Sequence, residues 1–512
     1  MNNQVSLDYE IEDLLSEPLL KEQQEQEDDN GTLPCEETSG SEDENQEVLL
    51  SKNVKIILWY TWIVFSGRSI WNQNVLATLC FLLKDGDPKA VGFLTAAMGL
   101  SQMIVSFPTG WVADRYRRDS LLRFASILGV SAATITIIVL WHPHGENPRY
   151  MWLLFALCVW GMFWGVTNTC ISALYADSVP NGQRSSYFTK RNVLTTLGNL
   201  TGPLVALAMF LLLGNEWTIH ECSVVMGLGQ IICIPAMVLL CCLDDDDTVP
   251  ENRLSNLTSD VEESLLDESP IESSAQHEDE TYDATSIQSF FGCCKASRII
   301  PTMVASADIM AGLASGMSIR YFSIFLYDNL ALSPVNVQII YVVIPLLQAT
   351  LMKCAQMLAK RFGRCFIAVT FKWIGISLMV AMILMANRYS EDQDSHPSGS
   401  SLLVKAISTV LVLRTAFMNS TRALTNSVLM DHVPKEERAK WSALESFNMF
   451  SWSGSAALGG FLVQYDGILF NFWITAGLQF LATFPLLILS FNVAPSNINR
   501  DPQTAFHFRR QD

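Results

Sequence analysis

Three arginines lie inside long apolar stretches of this sequence, where an uncompensated charge is costly. Arg68, Arg320 and Arg414 each fall within a run long enough to cross a membrane as a helix. Charged side chains at that depth mark a solute path, a binding site or a buried pair. A guanidinium binds a carboxylate or phosphate through two parallel hydrogen bonds, so the three arginines favour an anionic ligand.

Polar side chains in the same apolar stretches extend the candidate site. We predict a solute-binding set made of Arg68, Asn72, Asn168, Arg320 and Arg414. The alternatives are a salt bridge or helix packing for Arg68, an interfacial position for Arg320, and interhelical hydrogen bonds for the asparagines. Asp308 is a candidate proton-coupling carboxylate; the alternative is that it pairs with one of the arginines.

The sequence offers no constellation that would make the chain an enzyme. It lacks a glycine-rich phosphate loop, a His-Glu metal motif and a Gly-X-Ser-X-Gly turn. Its 12 cysteines show no metal-ligand or disulfide spacing, and most lie in apolar runs. The pairs Cys241-Cys242 and Cys293-Cys294 differ, because they flank an acidic segment at predicted helix ends, where cysteines can carry palmitoyl chains. We therefore expect no catalysis, cofactor, metal or nucleic-acid partner.

The elements that must position these side chains are membrane helices. Half of the residues are apolar and only 16% are charged, against about a quarter in soluble proteins. We predict an all-α membrane protein with twelve transmembrane helices, called spans 1 to 12 in chain order, near 54–83, 91–110, 121–141, 151–175, 187–213, 221–243, 299–327, 335–358, 365–386, 402–429, 441–464 and 468–493.

The net charge of −18 hides a cationic membrane body, because most acids lie in two segments, 1–50 and 244–285. Both segments are poor in aromatic residues, which is typical of disorder. The predicted organisation is an acidic cytoplasmic tail, a first six-helix bundle, an acidic cytoplasmic linker, a second six-helix bundle and a short cytoplasmic tail, over 1–50, 51–243, 244–297, 298–495 and 496–512.

Lysine and arginine are concentrated in the connections on one side of the predicted bundle. The connections after spans 2, 4, 6, 8 and 10 are basic, whereas the opposite connections carry few positive charges. Positive loops mark the cytoplasmic side, so both termini should be cytoplasmic. The sequence also repeats itself. Ala113–Arg118 aligns with Ala359–Arg364, and Asp177–Pro180 aligns with Asp431–Pro434, which indicates two pseudo-symmetric six-helix halves.

The pattern Gly110…Asp114-Arg115…Arg118 resembles the signature loop of the major facilitator superfamily, except that Arg117 stands where that pattern usually has glycine. The resemblance implies that spans 1, 4, 7 and 10 line a central cavity and that the loop closes a cytoplasmic gate, with Asp114 meeting the start of span 11. It assigns gating roles to the loop and to the acid and base that follow spans 4 and 10: Asp114, Arg115, Arg118, Asp177, Arg184, Asp431 and Arg438.

These features predict a secondary transporter that moves a small solute, favoured to be an organic anion, by alternating access. A gradient of protons or of a counter-ion would supply the energy, since the chain has no ATP site. The alternative is a non-transporting receptor or scaffold on the same fold, acting through its acidic cytoplasmic segments. Membrane lipid and, at the N-terminal tail, sorting adaptors are the other expected partners.

The tail carries an acidic dileucine pattern formed by Glu10, Leu14 and Leu15, typical of adaptor-read signals for endosomes, lysosomes or vacuoles. The alternative is a chance match, with the plasma membrane as destination.

We predict that the double substitution Leu14→Ala and Leu15→Ala moves a fluorescent fusion from internal membranes to the cell surface, because the two leucines fill the adaptor's apolar pocket. An unchanged distribution by microscopy would remove the sorting role.

Overall fold

The computed structural model describes residues 52–113, 115–141, 145–179, 184–245, 296–393, 400–432 and 438–492. Helices account for nearly all of these residues. In chain order, α1 to α13 are Lys52–Asn72, Val75–Leu83, Pro88–Ala113, Arg118–Trp141, Glu146–Asp177, Arg184–Leu213, Ile219–Leu239, Ala296–Ile324, Pro334–Phe362, Arg364–Gln393, Ser400–Ser420, Arg422–His432 and Arg438–Asn492. A 3₁₀ turn, Leu240–Cys242, follows α7, and a π-helical turn, Phe325–Asn329, follows α8.

The predicted twelve-helix, two-bundle fold is confirmed, with local differences in how the helices begin and end. Span 1 is broken into α1 and α2 at residues 73–74, and span 10 into α11 and α12 at Thr421. Spans 11 and 12 form the two arms of α13, which bends at Asp466 and Gly467. Gly467 has φ +82°, a left-handed conformation that glycine adopts without steric cost.

The helices form two groups, here called the first half (52–245) and the second half (296–492). In the first, α3 packs on α5, and α1 packs on α6 and α7; in the second, α8 packs on α13, and α10 packs on α11. The most extensive helix contacts between the halves are α3 with α13 and α6 with α9, and α2 also contacts α8. In the internal repeat, span 2 corresponds to span 8, and span 5 corresponds to span 11. The contact of α3 (span 2) with the first arm of α13 (span 11) is therefore the symmetry counterpart of the contact of α9 (span 8) with α6 (span 5).

The outer surfaces of the helices are apolar, as a lipid environment requires. Ten helices in the described ranges are long and apolar enough to cross a membrane. Helix α1 falls outside that number because Lys52, Lys55 and Arg68 lower its hydropathy. Large apolar side chains such as Leu212 and Leu402 are 81% and 79% exposed. Exposing so much apolar surface is unfavourable in water and favourable in contact with lipid.

Small residues let the helices approach closely inside each half. A Cβ at Gly161 would lie 2.0 Å from Ser101 Oγ, so α3 and α5 are in backbone contact there. The glycines 198 and 202 of α6 pack on α1 in the same way, and Gly459 of α13 packs on Met317 of α8. Membrane helices associate through such small-residue contacts, since lipid supplies no hydrophobic driving force between them.

Substitution of Gly316 tests this packing. A Cβ at Gly316 of α8 would lie 1.8 Å from the carbonyl oxygen of Trp452 on α13, whereas a Cβ at Gly477 would meet nothing within 4 Å. We expect Gly316→Ala to destabilise the protein by about 1–3 kcal/mol through overpacking. Gly477→Ala should be neutral or slightly stabilising, since alanine favours helix by about 0.5–1 kcal/mol over glycine. Equal melting temperatures for the two variants in detergent would contradict the packing described.

Candidate functional site

Two ends of the bundle are distinguished by their connections. The basic end holds residues 115–118 and the Asp244-Asp245 pair. The opposite end holds residues 84–87, 214–218 and 330–333. Polar contacts join the halves toward the opposite end. Two arginines of the first half, Arg68 and Arg191, lie against aromatic rings, and an ion-pair network lies at the basic end of the same half.

Arg320 joins the two halves near the opposite end. Its guanidinium, only 4% exposed, donates from Nη2 to Asn72 Oδ1 at 2.9 Å and from Nη1 to the Asn72 backbone carbonyl. That carbonyl is available because α1 ends at Asn72, so the next turn provides no N–H partner. Two residues predicted as solute ligands are therefore bonded to each other, and Arg320 is buried rather than at the membrane surface.

Further hydrogen bonds between the halves surround this contact. Gln338 Nε2 donates to Asn74 Oδ1 at 3.2 Å, and Trp217 Nε1 donates to the Leu332 carbonyl at 2.9 Å. The backbone N–H of Val335 donates to Asn215 Oδ1 at 3.0 Å. Gln338 thus connects α9 to the break in span 1. Leu332 and Val335 connect the loop before α9 and the start of α9 to the loop after α6.

Tyr321 lies at the crossing of three chain segments. Its hydroxyl is 3.1 Å from the carbonyl oxygen of Pro88 and 3.1 Å from that of Ala456, so its single proton has two acceptors. Glycines keep these backbones close, since a Cβ at Gly92 would lie 2.5 Å from the Ala456 carbonyl and one at Gly460 would lie 2.8 Å from the Tyr321 hydroxyl. The opposite end is thus closed by direct contact between α3, α8 and α13.

Arg68 lies in the first half with a different environment. Its guanidinium is over the ring of Trp164, 4.6 Å from the ring centroid, and the side chain is half-buried. No described carboxylate lies within ion-pair distance of it. Asn168 follows Trp164 by one turn on α5 and is exposed, so the two residues share a helix face. Arg68 is also within electrostatic range of Arg320.

Arg191 is a further arginine of the first half that was not among the predicted site residues. It lies on α6, half-buried, with its guanidinium 5.6 Å from the ring centroid of Tyr175 and near the Tyr60 hydroxyl. Tyr60 is two turns before Arg68 on α1, on the side of the basic end. The signal was present in the sequence, since Arg191 lies about one turn inside the membrane span that begins at Tyr187.

Arg414 lies inside the second half, apart from Arg68 and Arg320. Its Nη2 donates to Gln479 Oε1 at 3.2 Å, and its guanidinium is 4.8 Å from the ring centroid of Phe322. Gln479 Nε2 in turn lies 3.3 Å from Ser315 Oγ, which links α11, α13 and α8. This placement favours a role for Arg414 in joining helices of the second half over a role in binding solute. Gln479 was not singled out because it sits alone in an apolar run.

Asp308 faces positive charges of its own half. Lys372 of α10 and Arg422 of α12 are the cations that act on it. Lys372 is 7% exposed and lies within a membrane span, and the sequence analysis missed it because span 9 was not expected to line the cavity. Among the described residues, no cation lies within ion-pair distance of Asp308, and the charges that act on it belong to its own half rather than to the predicted arginines.

The basic end of the first half carries an ion-pair network. Arg118 pairs with Asp177 through Nη1, and its backbone N–H donates to Asp245 Oδ2 at 3.1 Å. Arg117, the residue that departs from the family pattern, lies 3.2 Å from Asp119 and 3.1 Å from Asp244. Two of the predicted gating residues, Arg118 and Asp177, are therefore brought together.

The other predicted gating and sorting residues divide into two groups. Arg115 is exposed, with its guanidinium 4.0 Å from the Trp111 ring centroid. The rest lie outside the described residues, or their side chains do: Asp114, Glu10, Leu14 and Leu15, and the side chains of Arg184, Asp431 and Arg438. In the described ranges, no group of three or more His, Cys, Asp or Glu side chains could hold a metal ion.

Comparison with known protein families accounts for most of the chain. Residues 60–304 match the family model described as Major Facilitator Superfamily, and residues 313–509 match a second, the MFS_1 like family. The Facilitated glucose transporter protein 1 of Caenorhabditis elegans is 19% identical over 265 residues, which are 51% of this chain and 49% of that protein. The chain therefore matches about half the length of that curated relative.

Solved structures share the fold at low identity. A bacterial homologue of the iron transporter ferroportin in an inward-facing state has a TM-score of 0.60 at 11% identity, covering 86% of this chain and 98% of that one. A D-xylose-proton symporter has 0.58 at 13%, covering 85% and 96%. A bacterial homologue of the human lysosomal transporter Spinster has 0.57 at 12%, covering 87% and 98%.

Charge removal at the basic end tests the ion-pair network. The side chains of Arg118 and Asp177 are each 22% exposed, so their contact is partly shielded from water. We expect Arg118→Gln and Asp177→Asn each to lower the free energy of unfolding by about 1–2 kcal/mol, less than a fully buried charged hydrogen bond. The double variant should lose less than the sum of the two.

Arg115→Gln is the matched control for this experiment. Arg115 is adjacent in sequence and equally basic, but it is exposed and contacts Trp111 rather than an acid. Its loss should change stability by about 0.5 kcal/mol or less, as for ordinary surface positions. Thermal unfolding of the purified variants measures all four changes, and strict additivity of Arg118→Gln with Asp177→Asn would contradict the pairing.

Proposed function

The chain belongs to the Major Facilitator Superfamily and is a multi-pass membrane transporter, and on that premise we propose that it carries a small organic anion by alternating access. The anion is held in the first half by Arg68. The bundle is closed at the opposite end in the described conformation, and the solute reaches Arg68 from the basic end.

The environment of Arg68 is the observation that carries the proposal. A guanidinium at membrane depth needs a counter-charge or hydrogen-bond acceptors. Arg68 has the ring of Trp164 beneath its guanidinium and no described carboxylate within ion-pair distance, and its side chain is half-buried rather than fully enclosed. A carboxylate or phosphate of the solute would complete this environment through bidentate hydrogen bonds.

The other membrane arginines support this choice by contrast. Arg320 is bonded to Asn72, and Arg414 is bonded to Gln479. Neither bond leaves the planar fork of the guanidinium fully available to a ligand. Arg191 lies nearer the basic end than Arg68 and is only half-buried, so a negative solute entering from that end would meet Arg191 before Arg68.

Alternating access is supported by the bonds at the opposite end. Each half is an internally packed unit, and polar contacts around Arg320 and Tyr321 join the two. Such contacts can break and re-form as the halves rock. A solute can favour the rearranged state only through contacts that are better in that state. In this proposal the contact between the solute and Arg68 supplies that difference.

The orientation follows from the charge distribution. Basic connections lie on the cytoplasmic side of membrane proteins, so the basic end is proposed to be cytoplasmic. Lys52 begins α1 at that end, and Leu489 near the end of α13 packs with Ile300 at the start of α8. Endolysosomal or vacuolar membranes are the proposed location, through the dileucine pattern in the tail.

Substitution of Arg68 by lysine tests the anion site. The screen is a thermal-shift assay of the purified protein against carboxylates, phosphate esters, amino acids, sugars and nucleosides, since a bound ligand raises the melting temperature. We expect an organic anion to stabilise the wild type. Arg68→Lys keeps the charge but loses the planar fork, so the affinity should fall at least about tenfold, or 1.4 kcal/mol.

Arg149→Lys is the matched control for this substitution. This substitution makes the same chemical change at a position away from the proposed solute site. The Arg149 guanidinium donates to the Val139 carbonyl and to Ser223 Oγ near the opposite end. Its ligand affinity should remain that of the wild type. Stabilisation by a neutral solute that is unchanged in Arg68→Ala would contradict the anion proposal, while leaving membership of the superfamily intact.

A further inference from the structure

Two neighbouring cysteines at the end of α7 are exposed. Cys241 and Cys242 form the last two residues of the 3₁₀ turn that follows this helix. The other cysteines in the described ranges are buried or half-buried inside the bundle. Neither Cys241 nor Cys242 belongs to the proposed solute site, and their thiols are accessible from outside the protein.

The exposed face of α7 leads directly to these thiols. Ile231 and Val238 are 55% and 54% exposed and lie seven residues apart, on one side of the helix. Cys242 follows Val238 by about one turn and continues that stripe, and Cys241 lies at its edge. The remaining sides of α7 pack against α1 and α4, so the stripe faces lipid.

The cysteines also lie at the depth where the apolar core of a bilayer ends. The candidate span Ile219–Cys242 contains 24 residues. At 1.5 Å per residue it is about 36 Å long, slightly more than the roughly 30 Å hydrocarbon thickness. Because Cys242 is its last residue, the two thiols are expected at the boundary between acyl chains and headgroups.

The chain immediately after the cysteines is fixed in place. Asn53 Nδ2 donates to the Asp244 carbonyl at 2.6 Å, and the Asp244 N–H donates to Asn53 Oδ1 at 3.1 Å. Asp244 also lies 3.1 Å from Arg117. These contacts hold the turn against the ion-pair network, so the thiols remain at the protein surface beside the membrane boundary.

We propose that Cys241 and Cys242 are S-acylation sites that carry long-chain fatty acyl groups. The donor is an acyl-coenzyme A thioester, acted on by a membrane acyltransferase. The cysteine Sγ attacks the thioester carbonyl, and the new bond between sulfur and the carbonyl carbon replaces the bond to coenzyme A. The thiol proton passes to the departing coenzyme A thiolate, so no oxidant is needed. The acyl chain lies along the stripe of Ile231 and Val238.

This inference depends on the cytoplasmic orientation of the basic end, where acyl-coenzyme A is available, and not on the identity of the solute. An acyl group here would hold the end of α7 at the membrane next to the contact between Asp244 and Arg117. It would thereby add a lipid anchor to the same turn that the hydrogen bonds of Asn53 fix from the protein side.

Acyl exchange on the full-length protein tests the proposal. The protein is expressed in eukaryotic cells, reduced, and its free thiols are blocked with a maleimide. Neutral hydroxylamine then cleaves thioesters, and a polyethylene-glycol maleimide tags the thiols released. We expect a hydroxylamine-dependent gel shift in the wild type that falls by up to one tag in Cys241→Ser and by one or two tags in the double variant Cys241→Ser with Cys242→Ser. Any tags that remain in the double variant report Cys293 and Cys294.

The double variant Cys158→Ser with Cys354→Ser is the matched control, because these cysteines are half-buried within membrane helices. Its shift should equal that of the wild type. Mass spectrometry of the wild-type peptide that contains residues 241 and 242 provides a second measurement that does not require any variant to fold. Absence of a shift in the wild type, or a full shift retained in the Cys241 and Cys242 double variant, would overturn the proposal.

Discussion

The contact between Arg320 and the end of α1 is the interaction on which the closed arrangement depends. A cation buried in a membrane protein must find acceptors within the protein. Arg320 finds them because span 1 breaks after Asn72, which leaves a backbone carbonyl and an amide oxygen facing α8. The carbonyl end of a helix also carries partial negative charge, which further favours a guanidinium there.

The rest of the opposite end is arranged around that contact. Tyr321, the next residue of α8, reaches backbone carbonyls of both halves, and the glycines at 92 and 460 bring those backbones close enough to be reached. Arg68 remains in the cavity with its guanidinium on Trp164. Arg320 and Tyr321 of α8 thus close one end of the bundle, while Arg68 of α1 is not used in that closure.

The sequence predicted the twelve spans and the two halves because apolar length, positive connections and internal repeats are each set locally. It also identified Arg68, Asn72 and Arg320 as unusual. It did not predict that Asn72 and Arg320 bond each other, since that depends on the break at residues 73–74 and on how the halves meet. Lys372 and Gln479 were missed for a related reason: their partners, Asp308 and Arg414, lie on other helices, and only packing brings them together.

Distance measurements at both ends of the bundle test the central claim that Arg320 holds the opposite end closed. Spin labels at the exposed positions Glu216 and Asp328 report that end, and labels at Tyr116 and Phe362 report the basic end. The account predicts one short distance at the opposite end in the wild type. In Arg320→Gln it predicts a longer component there and a shorter one at the basic end. An unchanged distance between Glu216 and Asp328 in Arg320→Gln, or lengthening at both ends together, would contradict it.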